Sequence, residues 1–439
     1  MRLIVLLAAT LVPAIAAALP YPSTYAPLPA ENVLLRNATI LTGDGERLDG
    51  ADLLLVDGRI AAVGPGLDAP ADTRVIDATG KWLTPGIIDN HSHLGVYPSP
   101  GVDAHADGNE ISDPNTAEVW AEHSVWPQDP GFIRALEGGI TTLQILPGSA
   151  NLFGGRSVTV RNLPGRTVQD MKFPGAPYGL KMACGENPKR VYGGKGRAPS
   201  TRMGNVAGYR AAWIAAAEYR KKLDSDEPPT RDLQLETLAG VLAGEILVHN
   251  HCYRADEMAV MLDIADEFGY KITAFHHAVE AYKIADRLAE AGVCASMWAD
   301  WWGFKMEAWD GIRENVAIVE AAGACAIVHS DSDIGIQRLN QEAAKAMAAG
   351  RRAGLDIGPE TAIRWITQNP ANSLGIGDET GSLEPGKRAD VVLGDRDPVS
   401  VYALAEVVFI DGARAYDRND PARQPRTDFE LGAISGGAR

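Results

Sequence analysis

The feature that most constrains the fold is the alternation of short apolar segments with helical segments from about residue 131 onward. Segments such as "GITTLQILPG" and "EILVHNHC" are typical of buried strands, whereas the residues between them repeat at helical spacing. The predicted helices cover residues 208–223, 231–244, 254–268, 280–291 and 313–322. Such alternation predicts parallel strands joined by crossover helices. We expect an α/β fold with a (β/α)8 TIM-like barrel over 86–377. An open doubly wound sheet is the alternative. No G-x-G-x-x-G motif follows the first strand, which removes the usual reason to prefer the open sheet.

The two ends of the chain have a different pattern from the centre. Residues 32–84 contain short alternating segments separated by Gly and Asp, and "GSLEPGKRADVVLGD" and "AEVVFIDGARAYD" repeat this pattern near the end. Neither end has enough strands to bury a face alone. We therefore predict a composite β-sandwich built from 19–85 and 378–439.

The first residues have the features of an export signal. Met1-Arg2 precedes the apolar run "LIVLLAATLVPAIAAALP", which ends in small residues, as a cleavable signal peptide does. An uncleaved membrane anchor is the alternative, which Pro13 and the small residues disfavour. We predict a signal peptide over 1–18, a periplasmic or secreted protein, and no membrane contact in the mature form.

Charge and cysteine content limit the partners. The net charge of -16 excludes a nucleic-acid partner, which requires a basic face. The four cysteines form no C-x-x-C pair, so we expect each to be a buried small apolar residue, although an exported chain could oxidise a close pair.

Histidines stand at the ends of four predicted strands. The pairs are His91 with His93, His249 with His251, His276 with His277, and His329 beside Asp331. A single strand histidine is more often a hydrogen-bonded core residue than a ligand. In a parallel barrel, however, all strand carboxyl ends meet on one face, and residues i and i+2 project to the same side. The pattern predicts a catalytic site for a divalent metal, most simply zinc.

Several motifs together resemble the amidohydrolase superfamily of metal-dependent hydrolases. They are "LTPGIIDNHSHLG", the strand-end histidines, "VHSDSD", "TQNPANSLGI" and "GSLEPGKRADVVLGD", in that order along nearly the whole mature chain. The resemblance is closest to the imidazolonepropionase-like and prolidase-like branch.

This resemblance implies roles for individual residues. His91, His93, His277 and Asp331 match metal ligands, and Asp331 also matches the residue that moves protons. "LVHNHCYRADEM" offers two histidines on one strand; His251 is assigned as the ligand, and His249 and Tyr253 to substrate binding. Some members hold a second metal with a carboxylated lysine, and Lys181 stands in a comparable place, so one or two ions are expected.

The implied reaction is hydrolysis of a C–N bond in an amide or cyclic amide, with Asp331 as general base and then general acid. A deaminase or a prolidase-like dipeptidase would use much of the same ligand set, and a non-catalytic metal-binding module is the remote alternative. The expected partner is a small-molecule substrate, and a homo-oligomer is possible for such barrels.

Two further segments have no assigned role in the site. The segment "GENPKRVYGGKGRAPSTRMG" is expected to be a long loop, and "WADWWGFKMEAW" is expected to form either a pocket wall or core packing.

Overall fold

A computed structural model describes residues 21–223 and 225–426 of the chain. The predicted signal peptide, residues 1–18, lies outside the described residues. The described parts contain two eight-stranded sheets. Within these same ranges, we find no helix with the length and apolar character needed to cross a membrane.

The strands and helices of the described residues follow in chain order. The strands are β1 Val33–Leu41, β2 Arg47–Val56, β3 Arg59–Gly64, β4 Arg74–Asp77, β5 Trp82–Pro85, β6 Ile87–Ser92, β7 Ile140–Ile145, β8 Phe153–Arg161, β9 Gly179–Ala183, β10 Leu247–Cys252, β11 Ile272–His277, β12 Cys294–Met297, β13 Ala326–Val328, β14 Val391–Gly394, β15 Ala405–Ile410 and β16 Ala413–Asp417. The α-helices are α1 Pro130–Glu137, α2 Val168–Met171, α3 Glu186–Gly193, α4 Arg202–Leu223, α5 Leu233–Leu242, α6 Ala255–Phe268, α7 Ala285–Ala291, α8 Asn315–Ala321, α9 Leu339–Arg352, α10 Pro359–Arg364 and α11 Gln368–Ser373. Short 3-10 helices cover Asp103–His105, Ala121–His123, Ala281–Lys283, Met306–Ala308, Gly335–Arg338 and Pro421–Arg423.

The first sheet unites strands from both ends of the chain. Its order is β16-β15-β14-β5-β1-β2-β3, with β4 beside β1, and the antiparallel pair β5 and β14 joins the two ends. Two tight hairpins fix its registers: Asp57-Gly58 and Asp411-Gly412 both have positive φ, as two-residue hairpin turns require. A Cβ on Gly58 would lie 2.9 Å from the carbonyl oxygen of Asp411, so the two turns pack closely.

The second sheet is a nearly closed barrel in the order β13-β12-β11-β10-β9-β8-β7-β6. The α/β, TIM-like architecture is therefore confirmed. One strand departs from the all-parallel expectation, because β8 pairs antiparallel with both β7 and β9. The sequence reasoning missed β8 altogether. Only residues 146–152 separate β7 from β8, which is too short for the crossover helix that a parallel neighbour needs.

Four of the five predicted helices are found as α4, α5, α6 and α8, and the fifth begins as a 3-10 turn before α7. The prediction of one long loop over 185–204 was wrong, since this segment contains α3 and the start of α4. Pro188 lies in the first turn of α3, where a helix needs no N–H donor, and Tyr192 is fully buried. Gly and Pro content alone therefore misled the prediction.

All four cysteines are paired, which corrects the expectation of free apolar residues. Cys184 bonds Cys252, and Cys294 bonds Cys325. Cys252 is the last residue of β10 and Cys184 directly follows β9, so the first bond ties the carboxyl ends of these neighbouring strands. Sequence spacing cannot reveal such a pairing, because the partners are 68 and 31 residues apart.

A buried charge cluster joins the barrel to the first sheet. The fully buried Arg161 of β8 donates to both carboxylate oxygens of Asp390, and its Nη2 lies 3.2 Å from Asp411 Oδ2. Arg388 and Tyr25 also donate to Asp411, from Nη1 at 2.8 Å and from the hydroxyl. The cluster thus pairs the guanidinium of Arg161 with two carboxylates. A buried charge requires such partners of opposite charge.

Candidate metal centre

The strand-end side chains converge at the carboxyl face of the barrel. They come from β6, β9, β10 and β11 and from the residues after β6 and β13. The side chains are His91, His93, Lys181, His249, His251, His276, His277, His329 and Asp331. Residues that lie far apart in the sequence therefore meet at one place, as the strand-end argument predicts.

Asp331 lies at the centre of this group. Its carboxylate is 3.5 Å from His91 Nε2, 3.3 Å from His93 Nε2 and 3.8 Å from His277 Nδ1. Asp331 and His277 both have a left-handed backbone, with φ of 49° and 70°. Non-glycine residues rarely adopt this conformation, which occurs at turns and at functional sites.

Lys181 reaches the same cluster from β9. Its Nζ lies 3.5 Å from His91 Nε2 and donates to the carbonyl oxygen of Pro147 at 3.1 Å. Burial lowers the pKa of Lys181 to about 8, because a charged ammonium is poorly solvated there. A larger share of this amine is neutral near pH 7 than for an exposed lysine.

His251 and His329 bring unpartnered nitrogens to the site. In the described ranges, neither ring nitrogen of either residue has a hydrogen-bond partner, although both side chains are buried. The ring of His251 lies 4.6 Å from that of His277, measured between centroids. Ligand atoms of His329, His91 and His277 lie within 4.8 Å of one another. Sequence reasoning did not assign His329, although its i, i+2 relation to Asp331 matches that of His91 to His93.

His249, predicted to bind substrate, is buried and contacts a second buried histidine. Its Nδ1 is 2.9 Å from Nε2 of His276, whose Nδ1 is 2.8 Å from Nδ1 of His91. These contacts orient His91, leaving its Nε2 to face Asp331 and Lys181. We therefore interpret His249 and His276 as residues that position His91, a role that second-layer partners of metal-binding histidines often have.

Below the cluster, Asp89 holds two strand ends together. It accepts hydrogen bonds from the backbone N–H groups of His91 and Ser330, at 3.1 and 3.2 Å, and from the Ser330 hydroxyl. Burial raises the pKa of Asp89 to about 7. This contact connects β6 to the segment after β13 and so sets the spacing between His91 and Asp331.

The electrostatics suit a cation held by neutral imidazoles. Burial lowers the pKa of every buried histidine in the cluster, to about 3 for His249 and His329. The other histidines whose pKa is lowered are His91, His251, His276 and His277. Burial pushes the pKa of Asp331 upward, but its interactions with His93, His329 and Lys181 outweigh burial and hold this pKa below its ordinary value. Neutral imidazoles with an ionised carboxylate and unpartnered nitrogens fit a divalent metal.

A cleft of about 470 Å³ opens directly beside Asp331. Tyr253 and aromatic residues of the segment after β12 line it. A cavity of similar volume, about 480 Å³, lies between the barrel and the first sheet and contains none of the cluster residues. The cleft at Asp331 can therefore present a substrate to the cluster.

Comparison with known proteins agrees with this geometry. Residues 243–418 match the model of the amidohydrolase family. A solved amidohydrolase from Thermotoga maritima MSB8 is 35% identical, with a TM-score of 0.81, and the match covers 88% of this chain and all of that one.

Two curated relatives extend the likeness. The amidohydrolase tasK of Hapsidospora irregularis is 33% identical over 428 residues, 88% of this chain, which spans only 43% of the length of that relative. An imidazolonepropionase from Acidiphilium cryptum is 25% identical, over 82% of this chain and 92% of its own. With the strand-end histidines and Asp331 in one cluster, this chain is a member of the amidohydrolase family.

Proposed function

We propose that this protein is a metal-dependent hydrolase that cleaves a C–N bond in an amide or cyclic amide. The observation that carries the proposal is the position of Asp331, within 3.8 Å of ring nitrogens of His91, His93 and His277 at the barrel mouth. A non-catalytic metal-binding module has no need of a carboxylate so placed. The likeness to an amidohydrolase and to an imidazolonepropionase supports the reaction class.

The residues that would hold the metal are the clustered histidines and Asp331. His91, His93, His277 and Asp331 form its centre, with His251 and His329 offering further nitrogens. We propose zinc, because neutral imidazole nitrogens with a carboxylate match its preferred donors. Such an ion, when bound, lowers the pKa of water to about 7 and polarises a carbonyl group.

Asp331 performs the proton transfers in this proposal. Its carboxylate accepts a proton from the attacking water and then donates it to the departing nitrogen. Its pKa, held below the ordinary value, keeps it ionised and ready to accept at neutral pH. His93 Nε2, 3.3 Å from Asp331 Oδ1, helps to orient this carboxylate.

Lys181 offers a route to a second ion. Carbon dioxide adds to a neutral amine, forming an N–C bond as the nitrogen loses a proton, and the product is an anionic carbamate. With a pKa of about 8, roughly a tenth of Lys181 is neutral at pH 7. The Nζ position, 3.5 Å from His91 Nε2, suits a bridging group. We propose a carboxylated Lys181 and two ions as the form suited to dipeptides.

We also propose export from the cell. Stable disulfides form mainly in oxidising compartments, and both cysteine pairs of the described chain are bonded. This supports the interpretation of residues 1–18 as a signal peptide.

Hydrolysis should depend on a removable metal. We expect dialysis against dipicolinate to lower turnover more than tenfold, and zinc to restore it, because the water is activated only with an ion bound. The assay uses a panel of N-acyl amino acids, dipeptides and cyclic amides, with a buffer-dialysed control. Release of ammonia alone would identify deamination instead. Turnover unchanged after complete metal removal would contradict the proposal.

A further inference from the structure

We propose that the cleft beside Asp331 binds an uncharged aromatic group of the substrate, so that the preferred amides carry an aromatic ring. This proposal rests on the proposed hydrolase function. The cleft is lined by Tyr253, Trp298, Trp301, Trp302 and Phe304, together with Asp300 and Asp331. We call these five aromatic residues the aromatic cleft.

The aromatic cleft is continuous with the histidine cluster. The ring of Trp298 stacks on His277, with centroids 4.2 Å apart and planes at 24°. Trp301 stacks on Trp298 at 5.2 Å, and Phe304 meets Trp298 edge-on at 5.7 Å. A ring bound in the cleft would therefore lie next to the side chains that act on the C–N bond.

The outer rings of the cleft are exposed, unlike the core tryptophans. Trp301, Trp302 and Phe304 expose 42%, 52% and 57% of their surface, whereas Trp213 and Trp365 are fully buried. These three outer rings therefore do not pack into the core, whereas Trp298, Ala299 and Ala308 of the same stretch are buried. Clustered exposed aromatic surface around a cavity is typical of a binding site, because a ligand ring removes it from water.

The charges around the cleft select a neutral occupant. The carboxylates of Asp300 and Asp331 line it, and they disfavour an anion. Asp300 already forms an ion pair with Lys345, whose Nζ lies 2.8 Å from Asp300 Oδ1. Lys305, which pairs with Glu186 and Glu307, has its Nζ 3.9 Å from the ring centre of Tyr253 and so already occupies a cation position at this ring. An uncharged ring therefore meets neither an unfavourable charge nor an occupied cation position.

The test compares the binding of two amides that differ by a phenyl ring. Dissociation constants of 3-phenylpropionamide and propionamide are measured by ligand-detected NMR titration on the metal-loaded protein. We expect the phenyl compound to bind wild type at least tenfold more tightly, and this preference to fall to threefold or less in Trp301→Ala and in Phe304→Ala. Tyr402→Ala, which removes a ring that is 73% exposed outside the cleft, should keep the preference.

Three results would overturn the proposal. They are no preference in wild type, a full preference in both cleft variants, and a wild-type dimer that Trp301→Ala converts to a monomer in sedimentation velocity, which would make the cleft a subunit interface. Circular dichroism checks that each cleft variant is folded. If one variant misfolds, the phenyl preference of the other still tests the proposal. Binding needs no turnover, so a protein that hydrolyses no amide yet keeps the preference would fail the hydrolase proposal alone.

Discussion

Replacing Asp331 with asparagine should lower turnover by about 10²- to 10⁴-fold while the protein stays folded. Asparagine has nearly the same shape and can still contact His93, but it cannot accept a proton from water near neutral pH. The carboxylate faces three histidine nitrogens at the barrel mouth and lies in a loop after β13, so its loss should disturb little packing.

The matched control for Asp331→Asn is Asp333→Asn. Asp333 is exposed, lies two residues further on, and accepts a hydrogen bond from Gln337 through its backbone carbonyl rather than through its carboxylate. We expect this control to keep wild-type turnover. Metal content is measured on both variants, because a variant that keeps its metal but loses turnover separates proton transfer from metal binding. Activity of Asp331→Asn within tenfold of wild type would rule out its role as the proton carrier.

Removing the metal should make the folded protein strongly sensitive to acid. The six buried histidines of lowered pKa are neutral when folded but take up protons below about pH 6.5 when unfolded. The unfolded state then binds more protons, so the free energy of unfolding falls as the pH falls. Each such group contributes about 1.4 kcal/mol per pH unit, which makes the summed effect from pH 7 to pH 5 large.

The Asp89 carboxyl has the opposite effect on the free energy of unfolding, which it raises as the pH falls. Burial raises the pKa of Asp89 to about 7, so this carboxyl binds a proton in the folded state between about pH 4 and pH 7. It offsets the effect of one histidine and leaves the sign of the total unchanged.

The measurement is urea unfolding of the chelated protein at pH 7, 6 and 5. His329→Asn is the informative variant, since no described residue hydrogen-bonds either ring nitrogen of His329. It should reduce the slope of unfolding free energy against pH by about 1.4 kcal/mol per unit below pH 6. A flat slope in wild type, or stability that rises toward pH 5, would contradict the assignment of neutral buried imidazoles.

The sequence predicted those parts of the molecule that depend on local periodicity. The i, i+2 pair His91 and His93, together with His277 and Asp331, could be placed in one site, because parallel strands bring their carboxyl ends together. The short strands of the first sheet were indicated by alternating segments separated by Gly and Asp. The family resemblance, read from motifs spread over the chain, is confirmed.

Other features depend on packing that no local pattern reports. The strand β8 was missed because its antiparallel direction depends on a short connection and on two neighbours. The supporting role of His276 depends on its contacts with His249 and His91 across the barrel. The two disulfides required knowledge of which strands are adjacent.

The central claim is that the cluster around Asp331 holds a catalytic metal. The most direct test is the divalent metal content per chain, measured by elemental analysis on wild type, His91→Asn and Lys181→Ala, all purified without chelator. We expect at least one ion per chain in wild type and a marked loss in His91→Asn. A fall from two ions in wild type to one or none in Lys181→Ala would support the carboxylated bridge. One ion per chain in both wild type and Lys181→Ala would assign Lys181 a structural role. Absence of metal from wild type would contradict the account.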